Sequence, residues 1–410
     1  MKRKISNISL LVFFFLIVFI TPQNFSQNKK FFSVQGKEII DQNGKPILLK
    51  GINLGNWLVP EGYMFHFKKI NSPQFIYFFF NTLLGEFEAN KFWEEFRRYY
   101  ITKEDIRFIK STGFNHVRIP FNYRLFVTNY PFYELKGPGY ELLDSVISWC
   151  KEENLYVILD MHCAPDGQTG DNIDDSFGYP FLFDSPEAQN LTAAIWKKLA
   201  ERYRDEEIII GYDLLNEPIA HYFDVDRLKP QLEPFYKKIT SEIREVDTNH
   251  IIFLGGAIWD SDFSIFGEPF DKKLVYTFHK YWTPPTKEVI QSYIDFRDKY
   301  NVPIWLGESG ENTNEWISEF RTVLEENNIG WCFWPYKKLK SERGVLSVNM
   351  PDDYNELIKF ADSFELSYEY IRENRPEFEA VKKILKEFLQ NILFNNCTVN
   401  ENYLKALGLK

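Results

Sequence analysis

The sequence predicts an α/β protein built as a closed (β/α)8 barrel, the TIM-barrel architecture, and three observations carry that reading. Eight short β-rich runs alternate with amphipathic helical segments, which implies parallel strand pairing. No glycine-rich phosphate loop follows the first run, which argues against an open doubly wound sheet. The 410 residues, 44% hydrophobic and 26% charged, suffice for one large barrel with additions and exclude a disordered or wholly membrane-embedded chain.

The strand candidates span 47–54, 115–121, 156–162, 209–217, 251–256, 274–281, 302–308 and 330–334. Helices are expected between them over 103–111, 140–153, 186–203, 230–246, 287–300 and 314–327, where apolar residues recur at helical spacing. Ahead of the first run, Gln42-Asn43-Gly44-Lys45 reads as a hairpin turn between short apolar strands, forming a lid on the bottom of the barrel. Two additions interrupt the regular count: an aromatic insertion after the first strand, roughly 62–90, and C-terminal helices from about 352.

At the extreme N-terminus, Lys2, Arg3 and Lys4 precede an apolar run over 8–20, the charged and apolar regions of a secretory signal. The run is short for a membrane span, so an uncleaved N-terminal anchor is only the alternative. Residues 1–27 are therefore expected to be a signal peptide, 28–395 the barrel and 396–410 a C-terminal tail, with the protein secreted, periplasmic or at the cell surface. No repeat or Pro/Ser linker suggests an appended module, and a monomer is expected. Cys150, Cys163, Cys332 and Cys397 are widely spaced without a CxxC pair, which gives neither a zinc knuckle nor a disulfide framework. A formal charge of −10 provides no basic stripe and excludes nucleic acid as a partner. Aromatics make up 18% of the chain, with 39 Phe, enough to pack a core and also to present rings to a ligand.

In such a barrel the active site lies at the C-terminal ends of the strands. Six runs close on polar or aromatic groups: Arg118, His162, Asn216-Glu217-Pro218, His279 with Tyr281, Glu308, and Trp334. Each alone has an ordinary structural explanation, so the case rests on their joint placement. Glu217 after the fourth run and Glu308 after the seventh face each other across the mouth, and paired carboxylates suit acid/base work on an acetal. A glycosidic bond needs a proton on its leaving oxygen and negative charge beneath its anomeric carbon. Two glutamates in unlike environments supply both at one pH. Arg118 and Tyr281 would keep whichever glutamate they touch ionised, Asn216 offers an amide to a sugar hydroxyl, and Trp334 offers a flat face to a pyranose. Asp160 and His162 share a strand face, yet no His-x-His or Glu-x-x-His pattern accompanies them, so neither a metal nor another cofactor is expected.

The motifs Asn115-His116-Val117-Arg118-Ile119-Pro120, Leu159-Asp160-Met161-His162, Asn216-Glu217-Pro218, His279-x-Tyr281 and Gly307-Glu308-Ser309-Gly310, taken in order, resemble glycoside hydrolase family 5, the cellulase family, over roughly 31–364. The resemblance implies that Glu308 is the nucleophile and Glu217 the acid/base of a retaining reaction, with carboxyl groups about 5 to 5.5 Å apart. It implies too that Arg118 and Tyr281 steady Glu308, that His279 sits near Glu217, that His162 and Asn216 hold sugar hydroxyls, and that Trp334 floors the sugar site. The stretch 51–61 is similar to the first strand of the exo-β-1,3-glucanase branch, which makes Glu61 a substrate contact. The stretch 162–170 is similar as well, with Cys163 and Asp166 departing from that branch.

The implied partner is a β-linked oligo- or polysaccharide, a β-1,3- or β-1,4-glucan, cleaved with retention of configuration. A β-mannanase or another β-glycosidase of the family is the alternative. From another class, a non-catalytic carbohydrate-binding barrel would lack an acid/base carboxylate, and both glutamates are present. The insertion rings Phe65, Phe67, Phe75, Tyr77, Phe78, Phe79 and Phe80 either wall off one end of a cleft or pack the insertion. Trp259 and Trp282 follow strands and either line a subsite or serve the core.

Overall fold

The computed structural model describes residues 30–128 and 133–410, so the expected signal segment 1–27 lies outside the described residues. Strands β1 (Ser33–Gln35) and β2 (Glu38–Ile40) form an antiparallel hairpin. Its turn falls at Gly36-Lys37, where Gly36 takes φ +57°, the left-handed conformation that short hairpin loops require. The expected turn at 42–45 is a second reversal: the Asp41 N–H donates to the Lys45 carbonyl at 2.8 Å, and Ile40 bridges Pro46.

The barrel strands are β3 (Lys50–Asn53), β4 (His116–Asn122), β5 (Tyr156–Cys163), β6 (Ile209–Asp213), β7 (Ile251–Gly255), β8 (Leu274–His279), β9 (Ile304–Glu308) and β10 (Gly330–Phe333). They pair in parallel and close in the order β10-β3-β4-β5-β6-β7-β8-β9, as the sequence predicts. Strands β4, β6, β7, β8, β9 and β10 are buried at every residue, because the interior packs one face and helices cover the other. The hairpin plugs the N-terminal end: Phe32 is fully buried and clusters with Ile158, Ile251, Phe253, Val275 and Trp305. At the same end, a Cβ on Gly51 would stand 2.2 Å from the His116 ring, so only glycine admits the imidazole there.

The insertion forms α1 (Pro73–Leu84) and α2 (Glu86–Tyr100), and α3 (Lys103–Thr112) opens on a Thr102/Asp105 capping box. Helices α4 (Gly139–Glu153), α5 (Pro186–Tyr203) and α6 (Val225–Arg244) follow their strands. Helix α6 begins before the expected residue 230. Asp224 caps it through the Arg227 N–H, and Pro230 and Pro234 lie inside it, held by a buried stripe of Leu228, Leu232, Phe235 and Tyr236 that outweighs the proline penalty. A single turn, α7 (Ala257–Asp260), succeeds β7, and α8 (Gln291–Tyr300) and α9 (Asn314–Glu326) complete the ring.

Beyond the barrel come β11 (Lys337–Leu339), β12 (Leu346–Val348), α10 (Asn355–Ser363), α11 (Tyr368–Asn374), α12 (Phe378–Asn391), β13 (Thr398–Val399) and α13 (Glu401–Ala406). Residues 396–410 are not a loose tail. Strand β13 pairs with β12, and Tyr403, Leu404 and Leu407 are buried, an i, i+1, i+4 set that gives α13 an apolar face. The insertion rings turn mostly inward. Phe65 stacks on Phe67 and Phe388, and Phe79 packs against Phe360 and Phe364, fastening the insertion to α10 and α12. Packing, not a cleft wall, is their role, although Phe75 and Phe78 remain exposed.

Candidate active site

The C-terminal ends of the strands open on a cavity of about 610 Å3, the size of a small-molecule site. Glu61, His162, Glu217, His279, Tyr281, Glu308 and Trp334 all line it. Arg118 and Asn216 lie beneath them, buried. The structure therefore gathers every residue singled out from the sequence at one rim.

Arg118 is the organising cation. Its Nε donates to Asp213 at 2.8 Å, Nη1 to Asn53 at 3.1 Å and to Glu308 at 2.5 Å, and Nη2 to Asn216 at 2.9 Å. Asp160 lies 3.1 Å from Nη2. A guanidinium with five donors satisfies this many partners in one plane, which a lysine cannot do. Tyr281 donates its phenol to the second oxygen of Glu308 at 3.0 Å. Burial drives the His162 pKa down to about 3, so its ring is neutral. Nδ1–H then donates to Asp160 at 2.8 Å while Nε2 accepts from the Asn216 amide at 3.3 Å. The ring also stacks on Trp334, centroids 5.5 Å apart and planes 14° from parallel. The Trp334–Pro335 peptide is cis, and the indole N–H donates to the Tyr63 hydroxyl at 2.5 Å.

Glu217 is held differently. No cation touches it among the described residues; instead His279 Nδ1 lies 2.8 Å from its Oε1. Burial, and then the charge of Glu308, push its pKa well above the ordinary carboxylate range. Burial also raises Glu308, but there the Arg118 guanidinium opposes the shift. The pair therefore shares its protons unequally: the guanidinium and the phenol hold the charge on Glu308, and the proton stays on Glu217. Burial lowers His279 well below its ordinary range, with Arg118 adding to the effect. Glu217, His279 and Glu308 present oxygen or nitrogen atoms within 4.8 Å of one another. Asp160, His162 and Glu308 form a similar group, but the Arg118 guanidinium already neutralises it and would repel a second cation.

Glu61 is buried, its backbone N–H donates to Asn56 at 3.1 Å, and its Oε1 has no hydrogen-bond partner among the described residues. Glu311, three residues beyond Glu308, is taken up by Lys338, whose Nζ lies 2.7 Å from both of its oxygens. Sequence reasoning missed several members. Asn53 also donates its amide to the Gly307, Cys332 and Phe333 carbonyls, tying three strand ends to Arg118. Asp213 and Asp260 are buried carboxylates. Asp260 accepts the Glu217 backbone N–H at 3.2 Å and lies 3.3 Å from His279 Nε2. A charged residue inside an apolar strand, such as Asp213 in Ile209–Asp213, was the available signal, since it needs a buried cation opposite. Asp260 gave no such signal, because it arrives through a turn in which Ile258, Trp259 and Asp260 all take positive φ.

The protein-family comparison matches residues 80–339 to the cellulase family, glycosyl hydrolase family 5. A β-xylosidase of Phanerodontia chrysosporium is 27% identical over 366 residues, covering 80% of this chain and 75% of that protein. A glucan 1,3-β-glucosidase of Lachancea kluyveri is 31% identical over 258 residues, covering 58% of this chain and 56% of that protein. Among solved structures, Thermotoga maritima Cel5A in complex with cellobiose superposes with a TM-score of 0.53 at 20% identity, covering 88% of this chain and 97% of that one, a likeness of fold. The chain belongs to glycosyl hydrolase family 5 and is a glycosidase acting on O-glycosyl compounds.

Proposed function

We propose that the protein is a retaining β-glycosidase that cleaves β-glucan chains or oligosaccharides by double displacement. The observation that carries this reading is the unequal pair: Glu308 bonded to Arg118 and Tyr281, Glu217 bonded to a neutral histidine, with oxygens of the two within 4.8 Å. That spacing suits the about 5 to 5.5 Å between carboxyl groups of a retaining pair and leaves no room for the water an inverting pair activates.

Glu308 attacks the anomeric carbon while Glu217 gives its proton to the departing oxygen, forming a glycosyl ester on Glu308. Glu217, now a carboxylate, takes a proton from water, and the resulting hydroxide character at the water oxygen displaces Glu308 with net retention. The neutral His279 ring, its Nδ1 2.8 Å from Glu217 Oε1, positions that carboxyl group in both half-reactions. The unpartnered oxygen of Glu61 accepts a hydroxyl of the sugar above Trp334. Relatives named as glucan 1,3-β-glucosidases support a glucose-bearing substrate.

The test is the anomer formed first, followed by proton NMR on a β-1,3- and a β-1,4-linked glucan oligomer. A β-anomer appearing before mutarotation is expected, and an α-anomer first would overturn the proposal.

A further inference from the structure

Tyr63 and Trp334 both line the cavity, and the indole N–H of Trp334 donates to the Tyr63 hydroxyl at 2.5 Å. That bond fixes the indole only as well as the phenol is itself fixed. Tyr63 lies in a short helical turn, Gly62–Phe65, which no side chain caps among the described residues, and it is 36% exposed. Such a turn is a weak anchor by itself.

Strand β11, which follows the Trp334 loop, supplies the missing support. His66 Nε2 lies 2.8 Å from the Leu339 carbonyl oxygen, and the ammonium of Lys338 stands 4.5 Å from the centre of the Tyr63 ring, within cation–π reach. Successive side chains of a strand point to opposite sides, and β11 uses both. Lys337 donates to the Tyr100 and Ile392 carbonyls at 2.6 and 2.9 Å and lies 2.8 Å from Asp105, which anchors the strand, while Lys338 turns to the cavity rim.

Lys338 is only 8% exposed, and a buried ammonium needs a counter-charge. Glu311 provides it with both carboxylate oxygens, from a backbone at φ +51° that a glutamate adopts where its surroundings impose it. A buried ion pair is no more stabilising than apolar side chains of similar size, so stability does not account for this one. What the pair achieves is a cation held at a fixed point against the Tyr63 ring.

We propose that Lys338, clamped by Glu311, is a positioning residue for the glycosidase reaction: it fixes the Tyr63 ring and, through the phenol–indole hydrogen bond, the face of Trp334 on which the sugar rests. The inference rests on the reading of Trp334 as the floor of the sugar site.

A double-mutant cycle on a β-glucan oligomer tests it. Lys338→Met and Tyr63→Phe should each lower kcat/KM by about 10- to 100-fold, and their combination should fall no more than about threefold below the weaker single variant, as expected of residues acting through one contact. Glu311→Gln/Lys338→Met leaves no unpaired buried charge and should stay as impaired as Lys338→Met; it replaces Lys338→Met in the cycle if that variant does not fold. Losses that multiply in the combined variant would overturn the inference, as would a return of activity in Glu311→Gln/Lys338→Met, which would confine Lys338 to neutralising Glu311. Either result leaves the floor reading intact. An undiminished kcat/KM in Trp334→Ala would overturn that reading and the inference together.

Discussion

The two ends of the barrel are built from the same eight strands and do opposite things. At the N-terminal end, Phe32 of the hairpin seals an apolar cluster with Phe253 and Trp305, and the buried His116 is held neutral, burial bringing its pKa down to about 3. At the C-terminal end, five acidic side chains, Asp160, Asp213, Glu217, Asp260 and Glu308, crowd around Arg118 and two histidines. Left-handed backbone is also concentrated there, at Asn56, Asp166, Glu217, Ile219, Ile258, Trp259, Asp260, Trp282 and Glu311. The difference teaches that one end supplies the stability that the strained, charge-dense end expends.

Substituting the glutamates breaks that comparison most sharply. Glu308→Gln should lower kcat by at least about 10^4-fold, and Glu217→Gln by about 10^2- to 10^4-fold on substrates with poor leaving groups. Glu308→Gln should unfold at or above the wild-type temperature, because it removes a buried charge beside other carboxylates, whereas Glu217→Gln, which replaces a group that already carries its proton, should stay close to the wild-type temperature. A fall in melting temperature would mean that these groups stabilise the fold.

The converse holds at the other end. Phe32→Ala should cost about 3 to 5 kcal/mol of stability in denaturant unfolding, while kcat/KM measured where the variant is folded stays close to wild type.

Within the site the effects are smaller and carry a sign in pH. Tyr281→Phe removes a donor to the ionised form of Glu308, so Glu308 binds its proton more tightly. The acid limb of kcat/KM should move to higher pH, with kcat down by about 10- to 100-fold. Asp260→Asn removes a buried acid next to Glu217 and should let Glu217 lose its proton sooner, moving the alkaline limb to lower pH with a modest loss in kcat. An unmoved alkaline limb would confine Asp260 to a structural role.

Much of this molecule was legible before any coordinates. The eight strands were readable because each is a compact apolar run bounded by turn residues, and Arg118, His162, Asn216, Glu217, His279, Tyr281 and Glu308 were readable because the fold puts strand ends at the site. The start of α6 differs from the sequence expectation because a proline usually marks a helix's first turn, whereas here the burial of Leu228 and Leu232 extends the helix ahead of Pro230. The segment 396–410 looks like a tail in sequence because its buried face is short and its partner, α9, lies far away in the chain.

The sequence by itself determined the barrel and the identity of its acidic pair, since both follow from local periodicity and from which residue closes each strand. Only the tertiary structure decided which glutamate holds charge and that Asp260 reaches Glu217 and His279. Those properties depend on distances of a few ångströms between segments remote in the chain, and on burial that exists only once the barrel closes.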